Sequence, residues 1–189
     1  MIYRHMYVAY ISKEDITLKD CDKLITVTLG YWDNLAVLYF ETSDRTLMPE
    51  SFTEGSILPL PDGRLWIEAS DIYHSFSPED ESRWERKIPN KKCIIQVNRL
   101  KKDKISSYIY YHVERQNDNL VNVDKYLAVF IHEDIIFLYT ETPAEKVTWD
   151  DIEGKNHHCS RYDWAELMDE HFCPWQDGTK GWKALKCNT

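Results

Sequence analysis

The sequence predicts an α+β protein in which one strand pattern is written twice, the first time without its helices. Three observations carry that expectation. Residues 22–42 (DKLITVTLGYWDNLAVLYFET) and 124–142 (DKYLAVFIHEDIIFLYTET) each open on Asp-Lys and close on Glu-Thr. Both hold two apolar runs split by a polar turn, the pattern of a β-hairpin. Downstream, Pro59-x-x-Asp62-Gly63 precedes Trp66, and Pro174-x-x-Asp177-Gly178 precedes Trp182. Upstream of each hairpin lies one more strand-like run, MYVAYI at 6–11 and CIIQV at 93–97. Landmarks recurring in one order are the signature of an internal repeat.

In the first copy the run 24–29 (LITVTL) alternates, with Thr26 and Thr28 on one side. That alternation predicts a sheet with one wet face. The charged segment 77–92 (SPEDESRWERKIPNKK) reads as a linker between a helix-less β repeat, 1–76, and a complete domain, 93–189. In the second copy the gaps lengthen. From Ile11 to Asp22 is 11 residues, but from Val97 to Asp124 is 27; from Glu41 to Pro59 is 18, but from Glu141 to Pro174 is 33. The added length is that of an ordinary helix. Within 103–119, Ile105, Tyr108, Ile109, His112 and Val113 share a helical face, with Asp103 as N-cap. The run 126–131 (YLAVFI) is apolar throughout, as for a strand covered on both faces. Within 160–172, Tyr162 or Asp163 opens a helix on which Trp164, Leu167, Met168 and Phe172 share a face. The second copy therefore reads β-α-β-β-α-β, the ferredoxin-like unit. Two stacked sheets, with helices backing only the second, satisfy both copies.

The chain has 189 residues, 43% hydrophobic and 13% aromatic, with net charge −9. An acidic chain repels phosphate backbones, and Lys101, Lys102 and Lys104 are too few to offset it, so nucleic acid is not expected as a partner. No apolar run approaches the roughly 20 residues of a membrane span, so no membrane partner is expected. Five cysteines, widely spaced and odd in number, read as free thiols in a reducing cytoplasm.

Four tracts of the second copy resemble the L-rhamnose mutarotase family, including its L-fucose mutarotase-like branch. They are Arg99-Leu100-Lys101-Lys102 leading to Tyr108 and His112, the hairpin 126–141, Trp164-Ala165-Glu166-Leu167-Met168, and Pro174-Trp175-Gln176-x-Gly178 with Trp182. The similarity spans roughly residues 91–187. It implies a dimeric α+β barrel of ferredoxin-like units, here assembled as an intramolecular pseudo-dimer. It also implies a cofactor-independent isomerase that binds a free monosaccharide of the L-6-deoxyhexose type. By the same resemblance the catalytic proton donor is His112, with Tyr108 one turn earlier. Tyr126 and the aromatic faces of Trp164 and Trp175 are the implied sugar contacts. Two departures stand out: Ala165 follows Trp164 where many members have a second Trp, and Val113–Asn119 replaces a Trp-Pro-Glu tract.

The chemistry suits these residue types. Mutarotation moves a proton from the anomeric hydroxyl to the ring oxygen, so a group titrating near 7 is an efficient catalyst. Histidine is that group, and Tyr108 four residues before His112 projects from the same helix face. The bland reading stands beside it. Trp164, Trp182 and Met168 at helical spacing also suit core packing, and a lone histidine on an apolar face often packs there. His157-His158-Cys159 has no spaced partner pair to complete a tetrahedral metal site, and no metal is expected. His132 and Asp134 read as hairpin-turn residues. A non-catalytic sugar-binding or regulatory module on the same barrel is the alternative function. A small oxygenase of similar fold would need a haem or quinone pocket for which no motif is visible.

Overall fold

The computed structural model describes residues 1–77, 81–118, 120–152 and 163–188. Its elements, in chain order, are β1 (Tyr3–Tyr10), β2 (Thr17–Leu18), β3 (Leu24–Trp32), β4 (Leu35–Thr42), β5 (Thr53–Glu54), β6 (Ile67–Glu68) and β7 (Ser70–His74). There follow β8 (Lys92–Arg99), α1 (Ile105–Gln116), β9 (Ala128–His132), β10 (Ile135–Thr142), α2 (Trp164–Asp169), β11 (Lys183–Ala184) and β12 (Lys186–Asn188). Sheet dominates, with two α-helices among the described residues, so the class is α+β.

The chain forms two compact units that interleave along the sequence. The first comprises 1–70, 78–85 and 185–189, and the second 71–77 and 86–184. The units thus do not follow the consecutive blocks 1–76 and 93–189 that the sequence suggests. The first sheet runs β12-β3-β4-β1-β6 and the second β11-β8-β10-β9-β7. Reversing one order makes the two lists equivalent, with β1, β3, β4 and β6 standing where β8, β9, β10 and β11 stand. The fifth strand of each sheet is the segment that follows the other half's closing strand: β7 in the second sheet, β12 in the first.

Local geometry repeats as well. Both hairpins turn through two residues, with Asp33 at φ 54° and Glu133 at φ 55° in matching positions. The following residue's carbonyl accepts from the end of the first strand in both units, Ile11 N–H to Asn34 O at 2.9 Å and Leu100 N–H to Asp134 O at 2.7 Å. His132 ends β9 while Glu133 and Asp134 make its turn.

The alternation of 24–29 does not mark a wet face at Thr28, while Thr26 stays half-buried. Thr28 is fully buried, on the face that also carries Met6, Val8, Val37 and Tyr39. The opposite face packs Tyr7, Leu29, Tyr31, Leu38 and Phe40 beneath Ile16, Leu47, Phe52 and Trp66. Irregular connections thus supply the cover that helices supply in the second unit. Phe52 stands edge-on to Phe40 with ring centroids 5.1 Å apart, a favoured aromatic geometry.

The described residues Trp84, Arg86 and Lys91 of the charged segment make buried contacts, each within its own unit. In the first unit Trp84 is buried and its indole N–H donates to Glu41 Oε2 at 2.6 Å; Tyr39 donates to Oε1 at 2.6 Å. In the second unit Arg86 lies 2.6 Å and Lys91 3.0 Å from the Glu141 carboxylate, which also accepts from Tyr139 at 2.9 Å. Glu41 and Glu141 occupy matching positions of β4 and β10, and both are buried. A buried carboxylate survives only with such donors around it.

The helices of the second unit start and stop for identifiable reasons. Asp103 does not cap α1: it sits inside a 3-10 turn over Lys102–Lys104, and Lys104 takes the cap position without a side-chain bond. Tyr108 and His112 are the buried residues of α1, whereas Val113 is exposed. Asp163 does cap α2, accepting from Glu166 N–H at 3.2 Å. The helix ends at Asp169 because His171 Nδ1–H donates to Leu167 O at 2.8 Å and Cys173 N–H donates to Arg99 O at 2.8 Å. The chain there runs alongside the end of β8 instead of continuing helical.

Candidate functional site

The helices cover one face of the second sheet incompletely, leaving a cavity of about 450 Å³ inside that unit. Such a volume lies in the range of small-molecule sites. Val129, Leu138, Met168 and Phe172 give it an apolar wall. Tyr73, Tyr108, His112 and Arg115 bring polar atoms to it, and Trp164 and Trp182 add aromatic faces.

His112 and Tyr108 share one face of α1 because they are four residues apart. Their rings lie 4.1 Å apart. Trp164 from α2 stands edge-on to His112 at 4.9 Å, and Tyr73 from β7 edge-on at 5.9 Å. His112 is 3% exposed, and its Nδ1 lies 2.9 Å from the Tyr108 carbonyl. A carbonyl only accepts, so Nδ1 carries the proton and Nε2 is the basic nitrogen of the neutral ring.

Burial drives the His112 pKa below its ordinary value, to about 4. The Tyr108 carbonyl favours the charged ring, while the nearby Arg115 charge disfavours it. The expectation of a group titrating near 7 is therefore corrected: the ring is neutral through the physiological range, and desolvation is the main reason. Burial also pushes the Tyr108 phenol above its usual value, so it stays a donor. Among the described residues neither the Tyr108 hydroxyl nor His112 Nε2 has a hydrogen-bond partner. Polar groups of this kind on the wall of an apolar cavity are natural points of contact for a ligand.

Three of the five residues expected at the site, His112, Tyr108 and Trp164, come together at this cavity. Tyr126 and Trp175 do not line it. Tyr126 precedes β9 and is fully buried, with the Arg86 and Lys91 cations 4.2 and 4.3 Å from its ring centroid. Trp175 sits in the turn before β11, its indole N–H donating to Gly181 O at 2.8 Å. Lys183 lies over the Trp175 ring.

Two further residues of the cavity escaped the sequence. Arg115 stacks its guanidinium 4.3 Å from the Trp164 ring, and its charge acts on the Tyr73 hydroxyl beside it at the cavity. Tyr73 was hidden because it lies in the first half, beyond the closing strand of the first copy; the run EASDIYHSF at 68–76 is its only sequence signal. The pair of Lys180 and Asp169, 2.8 Å apart, also borders the cavity.

No cluster of three or more His, Cys, Asp or Glu that would hold a metal exists among the described residues, and His157-His158-Cys159 lies outside them. Among the described residues no helix is long and apolar enough to cross a membrane. No protein-family model matches the chain, and no curated protein or solved structure matches it.

Proposed function

We propose that the chain is a cofactor-independent sugar mutarotase that interconverts the α and β anomers of an L-6-deoxyhexose. The observation that carries this reading is the pair of unmatched polar atoms, His112 Nε2 and the Tyr108 hydroxyl, on the wall of one apolar cavity. In the proposed reaction His112 Nε2 takes the proton of the anomeric hydroxyl as the C1–O5 bond breaks and C1=O1 forms. The imidazolium then returns that proton to O5. Rotation about C1–C2 and the reverse steps close the ring on the other face. Tyr108 donates a hydrogen bond to the sugar, and Trp164 faces its apolar C–H surface.

The finer fold reading belongs with this proposal. The second sheet holds β11-β8-β10-β9, order 4-1-3-2 within its own half, with α1 and α2 in the two crossovers. That order supports a ferredoxin-like unit, and the matching order of the first sheet supports a tandem repeat whose first copy lacks helices. On this reading both halves of a dimeric barrel lie in one chain, which is monomeric, cytoplasmic and carries one site. Light scattering tests it: a stable homodimer would sink the pseudo-dimer.

The activity is tested by saturation-transfer NMR on L-rhamnose and L-fucose. Exchange above the spontaneous rate is expected, falling by about 10²–10⁴-fold in His112→Ala. Undiminished exchange in that variant removes His112 from the mechanism. The lowered pKa of His112 favours a second reading, a non-catalytic sugar-binding or regulatory module. Binding of either sugar without exchange would select it.

A further inference from the structure

The cavity is walled in part by a segment that the sequence assigns to the other half of the chain. Residues 71–77 follow the closing strand of the first copy, yet they belong to the second unit. They are held there by several bonds. The Gln116 side chain, last in α1, accepts from His74 N–H at 2.9 Å and donates to His74 O at 2.9 Å. Ser75 N–H donates to Leu127 O at 3.1 Å, and the Ser75 hydroxyl bonds Asp124 O. So fixed, β7 brings Tyr73 to the cavity, 7% exposed.

We infer that Tyr73 is a positioning residue: its hydroxyl holds the Arg115 guanidinium against Trp164, where Arg115 sets the electrostatics of His112 and contacts the ligand. Resting on the mutarotase reading, this makes Arg115 a specificity determinant for the sugar. A guanidinium over an aromatic ring still carries N–H donors at its edge, which can match two adjacent hydroxyls. Its charge also bears on His112. The groups around that imidazole are Tyr108 and Arg115 on α1, Tyr73 on β7 and His171 beyond α2, with Asp118 acting on Tyr73 and the Asp169–Lys180 pair on the same cavity.

The test is a double-mutant cycle with two readouts. In the ligand-free protein, the His112 midpoint is followed by NMR titration in wild type, Tyr73→Phe, Arg115→Gln and the double variant. Each single substitution is expected to raise the midpoint by roughly half a pH unit, and the double by no more than Arg115→Gln alone. In the second readout, Tyr73→Phe and Arg115→Gln are expected to raise KM for L-rhamnose or L-fucose about tenfold. The change in kcat is expected to stay within about threefold. A 2-deoxy analogue, lacking one hydroxyl of the pair, is expected to lose that sensitivity. Additive midpoint shifts, or a silent Tyr73→Phe, overturn the positioning role. An unchanged KM in Arg115→Gln overturns its contact with the sugar. If the wild type exchanges neither sugar, the mutarotase reading and the sugar contact fall together, and the ligand-free cycle still decides whether Tyr73 acts through Arg115.

Discussion

The buried neutral His112 ties the stability of the protein to pH in a way that can be worked from its surroundings. An imidazole in the unfolded chain titrates near 6.5, and in the folded chain it titrates at about 4. Between those values the unfolded chain holds a proton that the folded one does not. The stability tied to neutral His112 is therefore complete above pH 6.5, lost as pH falls toward 4, and flat below. By linkage the whole difference is about 3 kcal/mol, of which about 2 kcal/mol is gone by pH 5. At 3% exposure, solvent screening removes little of it. The perturbation is His112→Gln, which deletes the titrating ring and keeps a side chain of similar reach. Urea unfolding at pH 7, 6 and 5 then compares the two proteins. Other groups, such as Asp124 with its carboxyl raised by burial, act equally in both and cancel. The wild type is expected to lose about 2 kcal/mol more than the variant between pH 7 and 5. Parallel losses would refute the buried neutral imidazole and the site built on it.

Two more expectations concern the scaffold. Phe52→Ala removes the fully buried ring that covers Phe40 in the first unit and is expected to cost about 3–5 kcal/mol, read as a lower urea midpoint. Trp84→Phe strips one donor from the buried Glu41 carboxylate and is expected to cost about 1.5–3 kcal/mol; Trp84→Phe paired with Glu41→Gln should recover part of it, because the acceptor is then uncharged.

Short-range signals made much of the fold legible. Two-residue turns at Asp33 and Glu133, apolar runs in β4 and β9, and the i, i+4 pair Tyr108–His112 all follow from local chemistry. What escaped depends on segments distant in sequence. Thr28 reads as a wet position yet is fully buried, because alternation reports side-chain type and not what lies above it. Asp103 has the right side chain for a cap, but the preceding turn winds as 3-10 and moves the helix start past it. Val113 fits the helical period only at the edge of the buried stripe. Tyr126 falls just before β9 and packs against cations from the charged segment, a partnership no periodicity encodes. Tyr73 was least accessible of all, since a strand's sheet membership is decided by pairing over long separations.

The interleaved strands also bear on how the chain is made. β3 pairs with β12 on one side, so that edge of the first sheet stays open until Lys186–Asn188 has been synthesised. About 150 residues separate the two strands, and at about 5–20 residues per second a nascent chain waits roughly 8–30 s for the closing strand. Throughout that interval Leu29, Gly30 and Tyr31 present unpaired backbone groups beside an apolar surface. Birth of the protein on the ribosome thus includes a window of aggregation risk at this open edge.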